Sequence, residues 1–277
     1  MIENNIIQTQ PKLAFFDGQS SEGVSGLHHR ETKIPFSTRR VIDLDIVSSN
    51  SDAIIKFIVG AIDAKRRVKV AFANSNLFIQ TIRQKTANDT LRDFMILNDG
   101  VAIDAASYIL YGKSFPENLN GTDFMPKLLS ATPAGTRVFL YGSLPEVVEE
   151  TAKAIESRFG VTVCGFADGY GHMADPKSVL KKIEESRPDI LLVALGNPKQ
   201  ELWLSENWPR LATPIGICVG AWMDFFIGHK KRAPAPFRAL RLEWLFRLLT
   251  EPRRLWRRYS VDVVAFFFLV FRQALTN

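Results

Sequence analysis

Between residues 40 and 220, short apolar runs rich in β-formers alternate repeatedly with amphipathic stretches of helical length. The runs are VIDLDIV (41–47), RVKVAFA (67–73), DFMILN (93–98), TRVFLYG (136–142), VTVCGFA (161–167), DILLVALG (189–196) and PIGICVG (214–220). Between them, Ser51-Asp52 can cap a helix, VAIDAASYILY (101–111) has helical spacing, and Pro145 opens a stretch with glutamates early, as a helix dipole favours. Strands that alternate with helices in this way build βαβ units, which force neighbouring strands to run parallel. The predicted fold is α/β: a Rossmann-like, mainly parallel sheet flanked by helices. The pattern leaves strand order open.

The two ends of the chain differ from this middle. Residues 1–37 are polar, mixed in charge and without apolar periodicity, and read as a disordered tail. The α/β core is expected over 38–228. From residue 229 to 277 the strand pattern stops and an Arg- and Trp-rich helical appendage is expected, ending in the apolar run VVAFFFLVF (263–271). Between Lys230 and Asn277 eleven Lys/Arg face three acids, a net +8, so the rest of this +6 chain carries −2. Any large anion is therefore expected to be met by the appendage. No apolar run reaches the ~18 to 20 residues that cross a bilayer. No basic, apolar and small-residue series opens the chain, so a cytoplasmic location is expected. Cys164 and Cys218 fall in predicted strands and read as buried thiols, which excludes a disulfide scaffold.

In open parallel sheets ligands gather at the C-terminal ends of strands. Four such ends carry chemistry: Asn74, Asp99-Gly100, Gly142-Ser143 and GNPKQE (196–201), which contains Gly196, Asn197 and Gln200. Glycines let a ligand approach the backbone, and an acid in that place can take a proton. The plain alternative for each dipeptide is a turn. There is no GxxxxGK[ST], no GxGxxG after a strand and no HExxH. His28 and His29 lie in the tail, and His172 and His229 stand alone, so no zinc site is expected. Asp43-Leu44-Asp45 spells a DxD, a pattern that can hold a metal on a nucleotide sugar. It falls inside a predicted strand, and strand structure is the preferred reading. Neither a metal nor an organic cofactor is expected.

The appendage interleaves Arg232, Arg238, Arg241, Arg247, Arg253, Arg254, Arg257 and Arg258 with Trp244, Phe246, Trp256 and Tyr259. Guanidinium groups grip phosphates in a bidentate way. Basic residues mixed with interfacial aromatics suit an anionic membrane surface. They would also suit nucleic acid, but the Phe-rich run 263–271 has no use on a phosphate backbone, so the membrane is preferred. That run can embed shallowly or pack on the core, and if exposed it favours self-association into a homo-oligomer.

Taken together, these residues resemble the WecG/TagA/CpsF family of bacterial glycosyltransferases (glycosyltransferase family 26), over about residues 40 to 260. The resemblance rests on an ordered set: NDGVAIDAA (98–106), NGTDFMPKLL (120–129), GNPKQE (196–201), GAWMD (220–224), RAP (232–234), EWLFR (243–247) and EPRR (251–254), followed by Arg257 and Arg258. It implies inverting, metal-independent transfer of a hexose-type sugar (glucose, N-acetylmannosamine or its uronic acid) from a UDP-sugar. The implied acceptor is a polyprenyl-diphosphate-linked sugar in exopolysaccharide, capsule or cell-wall polymer synthesis, at the inner face of the cell membrane. By the same resemblance Asp99 is the base on the acceptor hydroxyl, and Asn74 and Gln200 line the pocket. Gly100, Thr122, Asp123 and Arg232 are carried over as substrate-binding. Asp224, with Gly142, Ser143, Gly196 and Asn197, holds the nucleotide, and Arg247, Arg254 and Arg257 stabilise diphosphates. The family often has Thr-Pro before the asparagine, where this chain has Phe72-Ala73. The rival expectations are a non-catalytic nucleotide-binding protein anchored at the membrane and a nucleic-acid binder.

Overall fold

A computed structural model describes residues 32–84, 87–171 and 176–276. Most of the expected tail, His28, His29 and His172 lie outside the described residues. Residues 32–37 carry no helix or strand, yet Phe36 packs edge-on against Phe57, with ring centres 5.5 Å apart.

Among the described residues eight strands form one sheet: β1 (Thr38–Val41), β2 (Leu44–Val47), β3 (Val68–Ala73), β4 (Phe94–Asn98), β5 (Arg137–Gly142), β6 (Thr162–Ala167), β7 (Ile190–Ala194) and β8 (Ile215–Cys218). Their order across the sheet is β1-β2-β4-β3-β8-β7-β5-β6, and every pairing but β1·β2 is parallel. The fold is thus α/β with a mainly parallel sheet. The sequence run 41–47 is not one strand: Ile42 takes a φ of 54° and reverses the chain, making an antiparallel hairpin. The apolar alternation continues through the turn, so no breaker residue marked it. Asp43 sits in that turn and Asp45 pairs with Arg40 at 3.3 Å, both at the start of β2. Because β2 is parallel to β4, this is the end of the sheet away from Asp99.

Two helical layers cover the sheet. One contains α1 (Ser51–Asp63), α5 (Gly121–Ala131), α6 (Pro145–Phe159) and α9 (Trp222–Phe226), whose Ile54, Ile58, Phe124, Leu128, Val148, Ile155 and Trp222 bury against Val70, Leu140 and Ile217. The other contains α2 (Ser75–Arg83), α4 (Val101–Tyr111), α7 (Pro176–Ser186) and α8 (Lys199–Asn207), with the short α3 (Ala87–Leu91) joining α2 to β4. Asn50, one residue before the expected Ser51-Asp52, caps α1 by accepting from the Ala53 amide at 2.9 Å. Ser51 instead bonds Glu117. Cys218 is buried as expected, but Cys164 is only half-buried, because β6 is an edge strand.

The C-terminal segment is helical, as the sequence indicated: α10 (Ala235–Ala239), α11 (Glu243–Thr250), α12 (Pro252–Arg257) and α13 (Val263–Thr276). A π-helical turn over Arg258–Asp262 joins the last two into one helix, Pro252–Thr276, of 25 residues. By length and composition this helix can cross a membrane. One side of it is already engaged, however. Phe266 and Val270 are fully buried in the second layer, Phe266 lies 5.2 Å from Phe78 of α2, and Gln273 accepts from the Ile42 amide at 2.6 Å. Its other side leaves Val264, Phe268, Phe271 and Leu275 exposed.

Candidate active site

The parallel register sets the first pair of site residues side by side. Ala73 of β3 faces Asn98 of β4, and the Asp99 amide donates to the Ala73 carbonyl at 2.8 Å. The next residue of each chain segment therefore projects from the same sheet edge. Asn74 is the N-cap of α2, its Oδ1 accepting from the Leu77 amide at 3.1 Å, a role for which asparagine is strongly preferred. Its Nδ2 donates to Oδ2 of Asp99 at 3.3 Å. Gly100 takes a φ of 97° where α4 begins, and its amide donates to Oδ1 of Asn118 at 3.0 Å. Burial pushes the Asp99 carboxyl above its ordinary range, the Asn74 bond and the charges of Arg258 and Arg247 pull it back, and Asp123 raises it.

A cavity of about 430 Å³ opens over this pair. Asn74, Asp99, Gly100, Asn118 and Asn120 line its polar floor, while Val101, Ala102 and Ala105 of α4 face Trp244, Tyr259, Val263 and Phe267 of the appendage. Arg232 spans to Asp123 at 2.6 Å and to Glu243 at 3.5 Å, tying RAP and EWLFR to the start of α5. Burial would raise Asp123, but hydrogen bonds from Asn120 and Arg232 and the Arg232 charge hold it below the usual range. Arg241 closes another side through the buried Asp104 at 3.0 Å.

A second cavity, of about 410 Å³, lies between the strand-end loops and the appendage. Gly196, Asn197 and Gly220 form one wall; Arg247, Arg254, Arg257 and Arg258 form the other. Among the described residues only Arg247 and Arg258 line both cavities. Arg247 lies 5.2 Å over the Phe225 ring, which holds its plane.

Gln200 is buried and does not line either cavity. Its Oε1 accepts from the Gly220 amide at 3.0 Å and its Nε2 donates to Glu201 Oε1 at 2.8 Å, a carboxylate oxygen that also accepts from Asn197 Nδ2 at 2.6 Å. The motif GNPKQE thus joins two glycine loops. Burial pushes Glu201 up to about 7 against the hydrogen bonds from Gln200, its own backbone and Asn197.

Asp224, Gly142 and Ser143 gather in a cluster of their own at the β5 end. Asp224 is buried and accepts from Ser143 Oγ at 3.4 Å and from Lys230 at 2.9 Å, with His229 Nδ1 at 3.3 Å. His229, isolated in sequence, therefore has a carboxylate neighbour. Thr122 is half-buried in the first turn of α5 and lines neither cavity. Among the described residues no group of three or more His, Cys, Asp or Glu could hold a metal. Sequence reasoning did not single out Arg258, Asn118, Asn120 or Glu201. The last stands inside GNPKQE, and the first was one arginine among eight.

The match to known proteins agrees with this arrangement, running over residues 39–277 against the glycosyl transferase WecG/TagA/CpsF family, and so covering the sheet, both cavities and the appendage. The chain belongs to the WecG/TagA/CpsF family. It is also similar to the N-acetylglucosaminyldiphosphoundecaprenol N-acetyl-beta-D-mannosaminyltransferase of Bacillus spizizenii (strain W23). The two are 32% identical over 226 residues, 80% of this chain and 86% of that protein. As a WecG/TagA/CpsF member the chain is a sugar transferase, and the arginines of its C-terminal helical segment lie within the matched region.

Proposed function

We propose that this chain transfers a hexose-type sugar, with inversion, from a UDP-sugar to a sugar carried on a polyprenyl diphosphate. One observation carries the reading: two cavities abut at Arg247 and Arg258, one holding a carboxylate and the other ringed by guanidinium groups. Inversion requires the incoming hydroxyl and the departing diphosphate to lie on opposite sides of the anomeric carbon. The acceptor hydroxyl enters the Asp99 cavity and the UDP diphosphate lies against Gly196, Gly220 and the arginines. A new C–O bond forms at the anomeric carbon, the proton passes to Asp99, and the C–O bond to the diphosphate breaks with its electron pair leaving on UDP. Arg247, Arg254 and Arg257 stabilise that charge, so the step needs no metal.

The acceptor class follows the relative, whose name places a diphosphoundecaprenol on its acceptor. The exposed side of α13, with Val264, Phe268, Phe271 and Leu275 beside a basic cluster, supports docking on an anionic membrane at its cytoplasmic face. Without a membrane the same apolar stripe favours self-association. Asp224, with Ser143 and Gly142, supports the nucleotide end through the β5 loop.

The test is transfer from UDP-glucose, UDP-N-acetylmannosamine and its uronic acid to a polyprenyl-diphosphate-linked sugar in liposomes, with EDTA present. Transfer of one sugar is expected. Binding of UDP with no transfer from any donor, with or without manganese, would favour the non-catalytic nucleotide-binding alternative.

A further inference from the structure

Arg258 stands apart from the other arginines of the appendage. It lies at the first position of the π-helical turn Arg258–Asp262, a wide turn of the kind that often marks a functional position in a helix. That turn is pinned: Asp262 is buried and pairs with Arg83 of α2 at 2.6 Å. The same α2 is capped by Asn74, which holds Asp99. Arg258 is thus fixed relative to the carboxylate through one helix.

Its surroundings call for an anion. The Nε of Arg258 is buried with no hydrogen-bond partner among the described residues. Its neighbours in charge are Arg247 and Arg254, which oppose its own charge, and Asp99 and Tyr259, which favour it. A half-buried guanidinium beside two like charges is costly until an anion joins them. Arg258 also lines both cavities, as Arg247 does, while Arg254 and Arg257 line the arginine-rich one alone.

We propose, resting on the reading above, that Arg258 is a catalytic residue serving both substrates. One edge of its guanidinium binds the departing diphosphate, and its charge keeps Asp99 ionised for the acceptor hydroxyl. Asp99 faces Asn74, Arg258, Arg247 and Asp123. Of these, Arg258 and Arg247 both line the two cavities and both carry a buried Nε without a partner; Arg247 lies over Phe225, whereas Arg258, over Tyr259, is the one held by the pinned π-helical turn. Loss of its charge leaves Asp99 harder to ionise, so activity falls away at a higher pH on the acid side.

The experiment measures kcat/KM against pH for wild type, Arg258→Gln, Arg258→Lys and Asp99→Asn in the liposome assay, with UDP as a binding probe and thermal unfolding to confirm folding. Arg258→Gln is expected to lose on the order of 100-fold in kcat, the scale of removing one charge-stabilising donor, and to move the acid limb upward. Arg258→Lys keeps the charge, so its acid limb stays with wild type while its rate remains reduced for want of the bidentate contact. A folded Arg258→Gln with the wild-type rate and limb would overturn the proposal, as would a lowered rate with an unmoved limb. Asp99→Asn separates the two claims. If it transfers sugar normally, the reading of the reaction fails; if it is inactive while Arg258→Gln is normal, only the role of Arg258 fails.

Discussion

Asn74 donates to the Asp99 carboxylate at 3.3 Å while its own oxygen caps α2 through the Leu77 amide. A single side chain thereby sets both the start of a helix and the orientation of the acid at the cavity floor. Asn74→Ala removes one of the two influences that lower the Asp99 pKa most, so the carboxyl rises further above its ordinary value. Because the base acts ionised, the acid limb of kcat/KM moves to higher pH. The lost cap costs about 1 kcal/mol. Urea unfolding and a pH–rate profile check both effects, and a variant with an unmoved limb would break the link between the two residues.

Glu201 couples stability to pH. Its carboxyl is raised from 4.5 to about 7 by burial, so between those values the folded chain keeps a proton that the unfolded chain releases. The stabilising contribution is full below 4.5 and gone above about 7, and stability falls as pH rises through that window, by about 3 kcal/mol at most. Glu201→Gln keeps an oxygen for Asn197 and Gln200 and cannot ionise. The difference in unfolding free energy between variant and wild type is expected to grow in favour of the variant from pH 4.5 to 8. Parallel curves would contradict it.

Gly142 ends β5 with a φ of 120°, and a Cβ there would lie 2.5 Å from the Ala194 carbonyl carbon and oxygen. Both contacts are backbone and cannot swing aside. Gly142→Ala should destabilise by about 2 kcal/mol or more, read as a lowered urea midpoint. An unchanged midpoint would mean the β5 loop is far looser than its register with β7 indicates.

How much of this was legible in the sequence depends on what each element needed. Strand ends announced themselves, because Asn74, Asp99-Gly100 and GNPKQE are polar or glycine-bearing breaks after apolar runs. The hairpin at Ile42 did not, since its turn uses no glycine or asparagine and the apolar alternation runs straight through it. The family resemblance places Gln200 at the pocket; in the structure it is buried and bonded to Gly220 and Glu201, which no spacing reveals. Arg257 and Arg258 are neighbours in the chain, yet Arg258, at the head of the π-helical turn, lines both cavities while Arg257 lines one. The helical character of 229–277 was plain, but not that Phe266 and Val270 complete a core layer.

The exposed stripe of α13 can be tested without touching the cavities. Phe268 and Phe271 are 67% and 53% exposed, so replacing both by serine should change unfolding stability by only about 0.5 kcal/mol. Liposome binding is expected to drop on the order of tenfold or more, and self-association in detergent-free buffer to weaken with it. Sedimentation with and without anionic vesicles reads both. Unaltered binding would move the docking surface elsewhere.

In the proposed reaction Asp99 takes the acceptor proton. The direct measurement is sugar transfer by Asp99→Asn beside wild type, with UDP binding and thermal unfolding measured on the same preparations. The expected result is a folded protein that binds UDP normally and transfers sugar about 100- to 10,000-fold more slowly. A folded Asp99→Asn that transfers at the wild-type rate would contradict it.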